Sequence, residues 1–598
     1  MTPKSLLGLY TALVLQITSC AARSSETNNY CSVFVVHSSS DCLSPPLEFL
    51  NTTPEAPVTI SGKAEILEDA FAALAVLQNE YFDAEKNTWP SAIDWTAVVV
   101  ETIVSAMLKT LTNSLDAVFP ANTHKPKAKA NLIASFYDQI VSYYFGQKYL
   151  EIKDQAFDDM LWVVLGWIEA TTFAQLYEQI HFPNNEHNNQ KIPIGIDEAL
   201  SSLPWSGNLW LPSFYSRAQI FWGFASHGWD DVLCHGGMNW NPRLETYKNA
   251  ITNELWIAAS ISMYQYYQNG TSGSPTKNFS SPNGDPLYLE AAIRGYKWLM
   301  DVNMTNSQGL FVDGYHISKR PHGNIECDER DEMVYTYNQG VVLTGQRGLW
   351  TVTGSPSYLE DGHRLIQSVI HATGWNLGKN APIDNLGKPG KLPPWKGLGR
   401  GGILEEQCDA SGTCSQDGQT FKGIFFHHMT AFCKPLDLDD TRTNSDTEVD
   451  LNGFEQVKKA HATACFAYLG WVKHNAVAAL KTKDSKGRFG MWWGAGIFGD
   501  IAVPESQDGI DHAAANTTDY RNRGTPVNDK WGRNSTWQPN ARNGDVRDRD
   551  SAVLKVNSKY PMMETHKDPN DHGRGRTVET QVGGVALLRA YWELATSS

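Results

Sequence analysis

Hydrophobic residues recur at helical spacing along most of the chain. From Gly62 onward, apolar side chains repeat at i, i+3 and i+4 in Ala64–Tyr81 and again in Thr96–Leu111, which is the period of one buried helix face. Strand-like alternation is confined to short pieces such as Gly309–Ile317. The pattern predicts an all-α protein, with further helices at Asn131–Tyr144, Asp158–Tyr177, Tyr247–Tyr267, Pro286–Met300, Tyr335–Thr353, Pro356–Thr373, Phe421–Phe432, Val457–Leu480 and Val578–Thr596.

About eleven or twelve helices follow one another without β-α alternation, which argues against a parallel-sheet fold. A closed double ring of six inner and six outer helices uses about this number. Long polar segments interrupt the helices at 184–212, 387–402 and 503–559. Segments of this length in a compact domain are functional or lack fixed structure, and we interpret 503–559 as a polar insertion in a single domain covering 61–598.

The N-terminus has the pattern of an exported protein. Lys4 precedes an apolar run over 6–17 and then small residues, which predicts a signal peptide at 1–22. Residues 23–60 are rich in Ser, Thr and Pro and form a predicted small extension. Export is consistent with six Asn-x-Ser/Thr sequons, at Asn51, Asn269, Asn278, Asn303, Asn516 and Asn534, which mark sites for N-glycosylation. The C-terminus lacks an apolar tail, so we expect no membrane anchor.

Eight cysteines follow the predicted signal peptide, and an even count in a secreted chain predicts disulfides. Short separations favour Cys31–Cys42, which would pin the N-terminal extension, and Cys408–Cys414. The remaining cysteines would pair as Cys234–Cys327 and Cys433–Cys465.

Composition narrows the class of partner. A net charge of −15 argues against nucleic acid and anionic membranes, because both require a basic surface. The chain carries 20 Trp, enough to build a core and still leave rings for a binding surface. Sugars stack their C–H faces on such rings.

Two pairs of adjacent acids are candidates for catalysis. Glycoside hydrolysis needs two carboxyl groups flanking the scissile bond. Asp158 and Asp159 open a Trp-rich apolar helix, while Asp230 and Asp231 lie in a loop beside glycines and tryptophans. Acids at a helix start also serve as caps, and loop acids are often simply solvated, so these residues alone leave the choice open.

The sequence gives little support for a metal site or for a serine nucleophile. Asp437, Asp439 and Glu448 have EF-hand spacing, but Arg442 occupies the position that requires Gly. No cysteine or histidine cluster has zinc spacing, and no G-x-S-x-G elbow is present. We therefore expect no metal and no cofactor.

Taken together, these blocks resemble glycoside hydrolase family 76, the α-1,6-mannanase family that includes fungal proteins of cell-wall assembly. The resemblance extends over roughly 65–595. It is carried by Leu77-Gln78 with Tyr81 and Trp89, Asp158-Asp159-Met160-Leu161-Trp162, Cys234-His235-Gly236-Gly237 with Trp240, Tyr247–Leu255, Asp313-Gly314, Tyr335–Gly340, Gly402–Glu405 with Cys408 and Cys414, Phe421–Phe425, and Phe489–Trp493.

The resemblance implies an (α/α)6 barrel and a retaining mechanism in which Asp158 is the nucleophile and Asp159 the general acid/base. It thereby favours this pair over Asp230 and Asp231. Asp313 is expected to hold sugar hydroxyls. Four further residues are expected around the cleft: Trp240, Tyr337, Asn338 and Trp493.

The resulting hypothesis is a secreted, glycosylated mannan endo-1,6-α-mannosidase whose partner is α-1,6-mannan or a cell-wall mannoprotein glycan. A transglycosylase would use the same glycosyl-enzyme intermediate with a sugar as acceptor. A non-catalytic glycan-binding protein would keep the groove without turnover.

Overall fold

The computed structural model describes residues 31–34, 42, 62–118, 125–181, 205, 207–266, 285–319, 321–386, 392–410, 412, 414–438, 449–498, 570 and 575–597. The predicted signal peptide, most of the 23–60 extension and the 503–559 insertion lie outside these residues, as do all sequons except Asn303.

The described residues are mainly helical. The helices are α1 (Lys63–Val76), α2 (Asp94–Val118), α3 (Lys125–Gly146), α4 (Tyr149–Ile152), α5 (Phe157–His181), α6 (Leu211–Ala225), α7 (Ala250–Tyr266), α8 (Pro286–Asp301), α9 (Val341–Thr353), α10 (Pro356–Ala372), α11 (Gln416–Phe432), α12 (Leu451–Ala467), α13 (Leu469–Lys481), α14 (Ala495–Phe498) and α15 (Val578–Thr596).

Six of these helices close into a ring. α2 packs on α5, α5 on α7, α7 on α9, α9 on α11, α11 on α15, and α15 returns to α2. The intervening helices cover the outside: α1 lies on α15, α3 on α2, α6 on α5, α8 on α7, α10 on α9, and α13 on α15. Inner and outer helices thus alternate along the chain, and the fold is the expected (α/α)6 barrel.

The inner helices are buried on nearly every side, since neighbours flank them within the ring and outer helices cover them. In α15, every residue from Val578 to Tyr591 is buried. A helix that is apolar all round belongs to the core of a large protein. The segment Asp94–Ser114 of α2 is long and apolar enough to cross a membrane, but here it forms part of this buried ring.

Hydrogen bonds show that several inner helices begin at the same end of the barrel. The carboxyl of Glu579, at the start of α15, accepts from Thr96 in the first turn of α2 and from Gln416 at the start of α11. Trp95 donates from its indole to Asp417, again joining α2 to α11. Loops that precede inner helices are therefore brought together at this end.

Short strands shape the loops at this end. β1 (Tyr247–Asn249), β2 (Gly314–His316) and β3 (Glu329–Asp331) form an antiparallel sheet in that order, with Asn249 opposite Gly314. A Cβ on Gly314 would lie 2.6 Å from the Cα of Asn249, so only glycine allows this approach. Two further antiparallel pairs are β4 (Trp375–Asn376) with β5 (Ala381–Pro382), and β6 (Gly399–Arg400) with β7 (Ile403–Leu404).

All four predicted disulfides are present: Cys31–Cys42, Cys234–Cys327, Cys408–Cys414 and Cys433–Cys465. The described part of the extension packs on the barrel. Val33 donates to the carbonyl of Gly354 and accepts from the N–H of Asp450, and Phe34 is buried.

Several of the predicted helices differ from those in the structure. The predicted helix Val457–Leu480 is two helices, α12 and α13, separated at Tyr468. The predicted helix Tyr247–Tyr267 begins with the strand β1, because these residues pair with β2. Helix α6 was not predicted at all, since its first residues fall inside the segment interpreted as a polar loop.

Candidate active site

Asp158 and Asp159 lie in the first turn of α5, at the end of the barrel where the other inner helices begin. Asp158 is buried and Asp159 is partly exposed. Asp159 Oδ2 accepts from the N–H of Ala156 at 3.1 Å, and Asp158 Oδ1 accepts from the N–H of Asp159 at 3.1 Å. These acids therefore do cap the helix. Capping uses one oxygen of each carboxyl group in these bonds, so it does not exclude a chemical role.

A chain of hydrogen bonds joins the start of α5 to a second acid. Phe157 N–H donates to the carbonyl of Trp240 at 2.8 Å, and Trp240 N–H donates to the carbonyl of Tyr247 at 2.8 Å. The Tyr247 hydroxyl then donates to Asp313 Oδ2 at 2.6 Å. Three of the predicted site residues, Asp158, Trp240 and Asp313, are thus linked through neighbouring backbone and one tyrosine.

Buried polar atoms without a hydrogen-bond partner among the described residues cluster near Asp313. They are Asp313 Oδ1, Asn249 Nδ2, and both Oδ1 and Nδ2 of Asn338. Asn249 lies opposite Gly314 in the sheet, and the Gln339 side chain bonds both the N–H and the carbonyl of Phe311. Because unpaired buried polar groups are unfavourable, such a cluster is suited to a hydroxyl-rich ligand.

The sequence reasoning did not single out Glu254, although it lies in a motif that carries the family resemblance. Its side chain is fully buried on α7. Burial raises the pKa of Glu254 well above its ordinary value, and the neighbouring charge of Asp313 raises it further, against the N–H of Val342. A buried acid on an otherwise apolar helix was the signal that could have revealed it.

The three predicted aromatic residues differ in accessibility. Tyr337 is buried and stacks on Phe421 with 3.8 Å between ring centroids. Trp493 is buried against Phe426, with Lys422 Nζ 5.2 Å from the centroid of its ring. Trp240 alone of the three is partly exposed. Of the three rings, Trp240 is therefore the one with a surface on which a sugar could stack. The rings of Tyr337 and Trp493 are enclosed by other side chains.

The second acid pair, Asp230 and Asp231, makes bonds within the loop in which it lies. Asp230 Oδ1 accepts from the N–H groups of Val232 and Leu233, and Asp231 pairs with Arg294 and with the indole of Trp229. These bonds organise the loop that Lys248 also supports, since Lys248 Nζ donates to four of its carbonyls. Asp230 and Asp231 therefore lie in a loop and not at a helix end, and both make bonds that organise this loop.

A cluster of buried acids follows β7. Glu405, Glu406 and Asp409 are all buried, as is Lys422, which pairs with Asp409. Glu406 Oε1 accepts from the N–H of Thr336 at 2.8 Å and also from the Thr336 hydroxyl. Burial raises the pKa of Glu406 to about 8. Sequence reasoning included Glu405 only within a motif and missed Glu406 and Asp409.

One buried trio has ligand types suited to a metal. His363, His461 and Cys465 offer atoms within 4.8 Å of one another. Cys465, however, is bonded to Cys433, the two histidines are hydrogen-bonded to each other, and His363 is also bonded to the hydroxyl of Tyr468. The trio is thus occupied by internal bonds. Of the EF-hand-like window, Asp439 and Glu448 lie outside the described residues.

Comparison with known proteins shows which family part of the chain is similar to. The family model described as glycosyl hydrolase family 76 matches residues 210–448. These residues, about two fifths of the chain, are thus similar to glycosyl hydrolase family 76. Family 76 relatives include the protein named mannan endo-1,6-alpha-mannosidase DCW1 of Candida glabrata, 22% identical over 329 residues, which are 48% of this chain and 61% of that one.

A second family 76 relative is mannan endo-1,6-alpha-mannosidase DFG5 of Saccharomyces cerevisiae, 23% identical over 222 residues, or 36% of this chain and 38% of the relative. The matches thus span less than two thirds of the length of either relative. Among solved structures, the α-1,6-mannanase GH76A of Salegentibacter sp. HEL1_6, in an inactive variant with α-1,6-mannotriose, is 16% identical at a TM-score of 0.44, covering 88% of this chain and 99% of that one. Dfg5 from Chaetomium thermophilum with glucosamine is 16% identical at 0.43, covering 73% and 85%.

Proposed function

We propose that this protein is a secreted mannan endo-1,6-α-mannosidase that hydrolyses α-1,6-mannosidic bonds with retention of configuration. The observation that carries the proposal is the adjacent pair Asp158 and Asp159 at the start of α5, connected through Phe157, Trp240 and Tyr247 to the buried carboxyl of Asp313. The names of the family 76 relatives supply the substrate class. The four disulfides fit an oxidising compartment outside the cytosol.

The proposed reaction has two displacements. Asp159, protonated, donates its proton to the glycosidic oxygen while Asp158 attacks the anomeric carbon, so that the C–O bond to the leaving sugar breaks and an ester to Asp158 forms. Asp159, now ionised, then takes a proton from water as the water oxygen attacks the same carbon and releases Asp158. Retaining enzymes need their two carboxyl groups about 5–5.5 Å apart, a separation that suits side chains of adjacent residues at a helix end.

The chain's other residues bind and orient the sugar. Asp313 Oδ1 and the Asn338 amide are buried and have no hydrogen-bond partner among the described residues, so mannose hydroxyls would satisfy them. Tyr247 fixes the orientation of Asp313 through Oδ2. The partly exposed ring of Trp240 would carry the apolar face of a neighbouring sugar. No step of this mechanism requires a metal or an organic cofactor.

The test is incubation of the purified protein with linear α-1,6-mannan, followed by separation of the products by size. We expect short oligosaccharides from the wild type and none from Asp158→Asn. Asp231→Asn is the matched control, because Asp231 is an exposed acid of an adjacent pair that bonds only within its loop and to Arg294. Turnover lost in Asp231→Asn and kept in Asp158→Asn would overturn the assignment.

The same experiment separates hydrolysis from transfer. Added acceptor oligosaccharides would give products longer than the starting chain if a sugar intercepts the glycosyl-enzyme. Longer products without new reducing ends would replace the hydrolase by a transglycosylase. Binding of mannan without any turnover would indicate a glycan-binding protein.

A further inference from the structure

We propose that Glu405 and Glu406 act together as a positioning pair, in which adjacent buried carboxyl groups hold two separate walls of the active site in register. The inference rests on the proposed function, because the walls are those that contain Tyr337, Asn338 and Trp493. Neither glutamate reaches substrate in this proposal. Each acts through the segment that it holds.

Glu406 holds the turn that presents Tyr337 and Asn338. Its Oε1 accepts from both the N–H and the hydroxyl of Thr336, the residue immediately before that turn. The far end of the turn is fixed by Gln339, whose side chain bonds Phe311 and the carbonyl of Tyr335. The turn is therefore held at both ends, by Glu406 at Thr336 and by the side chain of Gln339.

Glu405 holds the segment that contains Trp492 and Trp493. Its Oε1 accepts from the indole N–H of Trp492 at 2.9 Å, and its Oε2 accepts from Arg400 Nε at 3.0 Å. A Cβ on Gly494 would lie only 2.7 Å from Glu405 Oε1, so the backbone after Trp493 passes directly over this carboxyl group. One dipeptide thus contacts two wall segments that are 156 residues apart in the chain, measured from Thr336 to Trp492.

Asp409 and Lys422 support the glutamate pair through a hydrogen bond and an ion pair. The N–H of Glu406 donates to Asp409 Oδ2 at 3.0 Å, and Lys422 pairs with the same carboxylate. Lys422 Nζ also lies 5.2 Å from the centroid of the Trp493 ring. The disulfide Cys408–Cys414 closes the short loop that carries Asp409. The connection between the two walls is therefore fixed by charge, by hydrogen bonds and by a covalent bond.

The energetics of the buried charges favour a role for Glu405 and Glu406 in positioning the site walls over a role in stabilising the fold. Replacing buried ion pairs by well-packed apolar residues is often neutral or stabilising, so three buried acids with one lysine and one arginine are a poor way to stabilise a fold. Burial raises the pKa of Glu406 and of Glu405, against the bonds from Thr336 and the charge of Arg400 respectively. Hydrogen-bonded groups of fixed geometry instead specify where the two walls lie.

The test compares Glu406→Ala with Glu406→Gln. Glutamine keeps an oxygen that accepts from Thr336, whereas alanine removes it. We expect Glu406→Ala to raise KM for α-1,6-mannan oligosaccharides about tenfold or more with a smaller change in kcat, since the walls bind sugar and the acids Asp158 and Asp159 perform the chemistry. We expect Glu406→Gln to restore KM to within about threefold of the wild type.

Glu579→Ala is the matched control for general damage. Glu579 is an equally buried acid at the same end of the barrel, but its partners Thr96 and Gln416 lie in helices and not in the site walls. We expect it to lower the thermal midpoint while KM stays at the wild-type value below that midpoint. Equal KM values in wild type and folded Glu406→Ala, or equal increases in Glu406→Ala and Glu579→Ala, would overturn the positioning role.

Failure of the proposed function would give a different result. A wild-type protein that neither cleaves nor binds the oligosaccharides would reject the function itself. A crystal structure of Glu406→Ala then decides the inference without substrate: displacement of the turn at Tyr337 and Asn338 supports it, and an unchanged turn overturns it.

Discussion

The hydroxyl of Tyr247 donates a 2.6 Å hydrogen bond to Asp313 Oδ2, across 66 positions of the chain. Both side chains are buried, and the other oxygen of Asp313 has no hydrogen-bond partner among the described residues. The tyrosine therefore fixes one oxygen of the carboxyl group and leaves the other for a ligand. This division makes Tyr247 a positioning residue whose removal should affect binding as well as folding.

We predict that Tyr247→Phe lowers kcat/KM on α-1,6-mannan about tenfold and lowers the free energy of unfolding by about 1–3 kcal/mol, because a buried acceptor loses its donor. Tyr315→Phe is the control, since Tyr315 lies in the adjacent strand β2 and its hydroxyl donates to the carbonyl of Asn303, outside the site. Kinetics and urea denaturation measure both effects. Equal kinetic losses in the two variants would contradict a specific role for Tyr247.

The two acids proposed as catalytic should differ in effect when the leaving group of the substrate departs without a proton. With an aryl α-1,6-mannobioside that carries a good leaving group, we predict that Asp159→Ala still releases the aryl group in a rapid first turnover and then stalls, because the missing general acid/base contributes about 10²–10⁴-fold. Asp158→Ala should release none. Stopped-flow absorbance records the burst, and an equal burst from both variants would reverse or reject the roles.

The helical period and the cysteine spacing predicted much of the fold. The helices of the barrel were predicted from long segments with apolar residues at helical spacing. All four disulfides were predicted from the positions of the cysteines in the chain. The strand β1 was missed because its three residues extend the helical pattern of α7, and only pairing with β2 makes them extended. Local periodicity does not contain that tertiary contact.

A catalytic role for Asp158 and Asp159 could be proposed from the sequence only through the family resemblance, since acids at a helix start are usually caps. The structure then showed that capping by Asp159 is real, so the two interpretations coexist. Glu254 and Glu406 could not be found from spacing, because each is distinguished only by its burial and by neighbours far along the chain. Trp493 was expected at an open cleft and instead is buried, which periodicity does not reveal for single rings.

Glu579 should make stability depend on pH. Burial raises its pKa from 4.5 to about 7, so the folded protein holds a proton there that the unfolded chain releases above pH about 4.5. Its contribution is fully present below that pH and is lost as pH rises through about 7, an effect of up to about 3 kcal/mol. We predict that the stability difference between Glu579→Gln and wild type shifts in favour of the variant as pH rises from 5 to 8. Parallel urea-denaturation curves for the two proteins across this range would contradict the assignment.

The crossing of α11 and α15 provides a prediction about packing alone. A Cβ on Gly423 of α11 would lie 2.9 Å from the Cα of Gly583 on α15, whereas a Cβ on Gly583 would meet nothing closer than the Trp493 ring at 3.8 Å. Backbone cannot yield as a flexible side chain can, so Gly423→Ala must push two inner helices apart. We predict that Gly423→Ala lowers the free energy of unfolding by about 1–3 kcal/mol.

Gly583→Ala is the matched substitution on the partner helix. It should be neutral or stabilising by up to about 1 kcal/mol, since alanine is the better helix former and the space is open. Thermal denaturation of the two variants beside wild type measures the difference. Equal destabilisation by the two substitutions would contradict this prediction. It would show that a methyl group on either helix disturbs the crossing, although only the one on Gly423 would meet backbone at 2.9 Å.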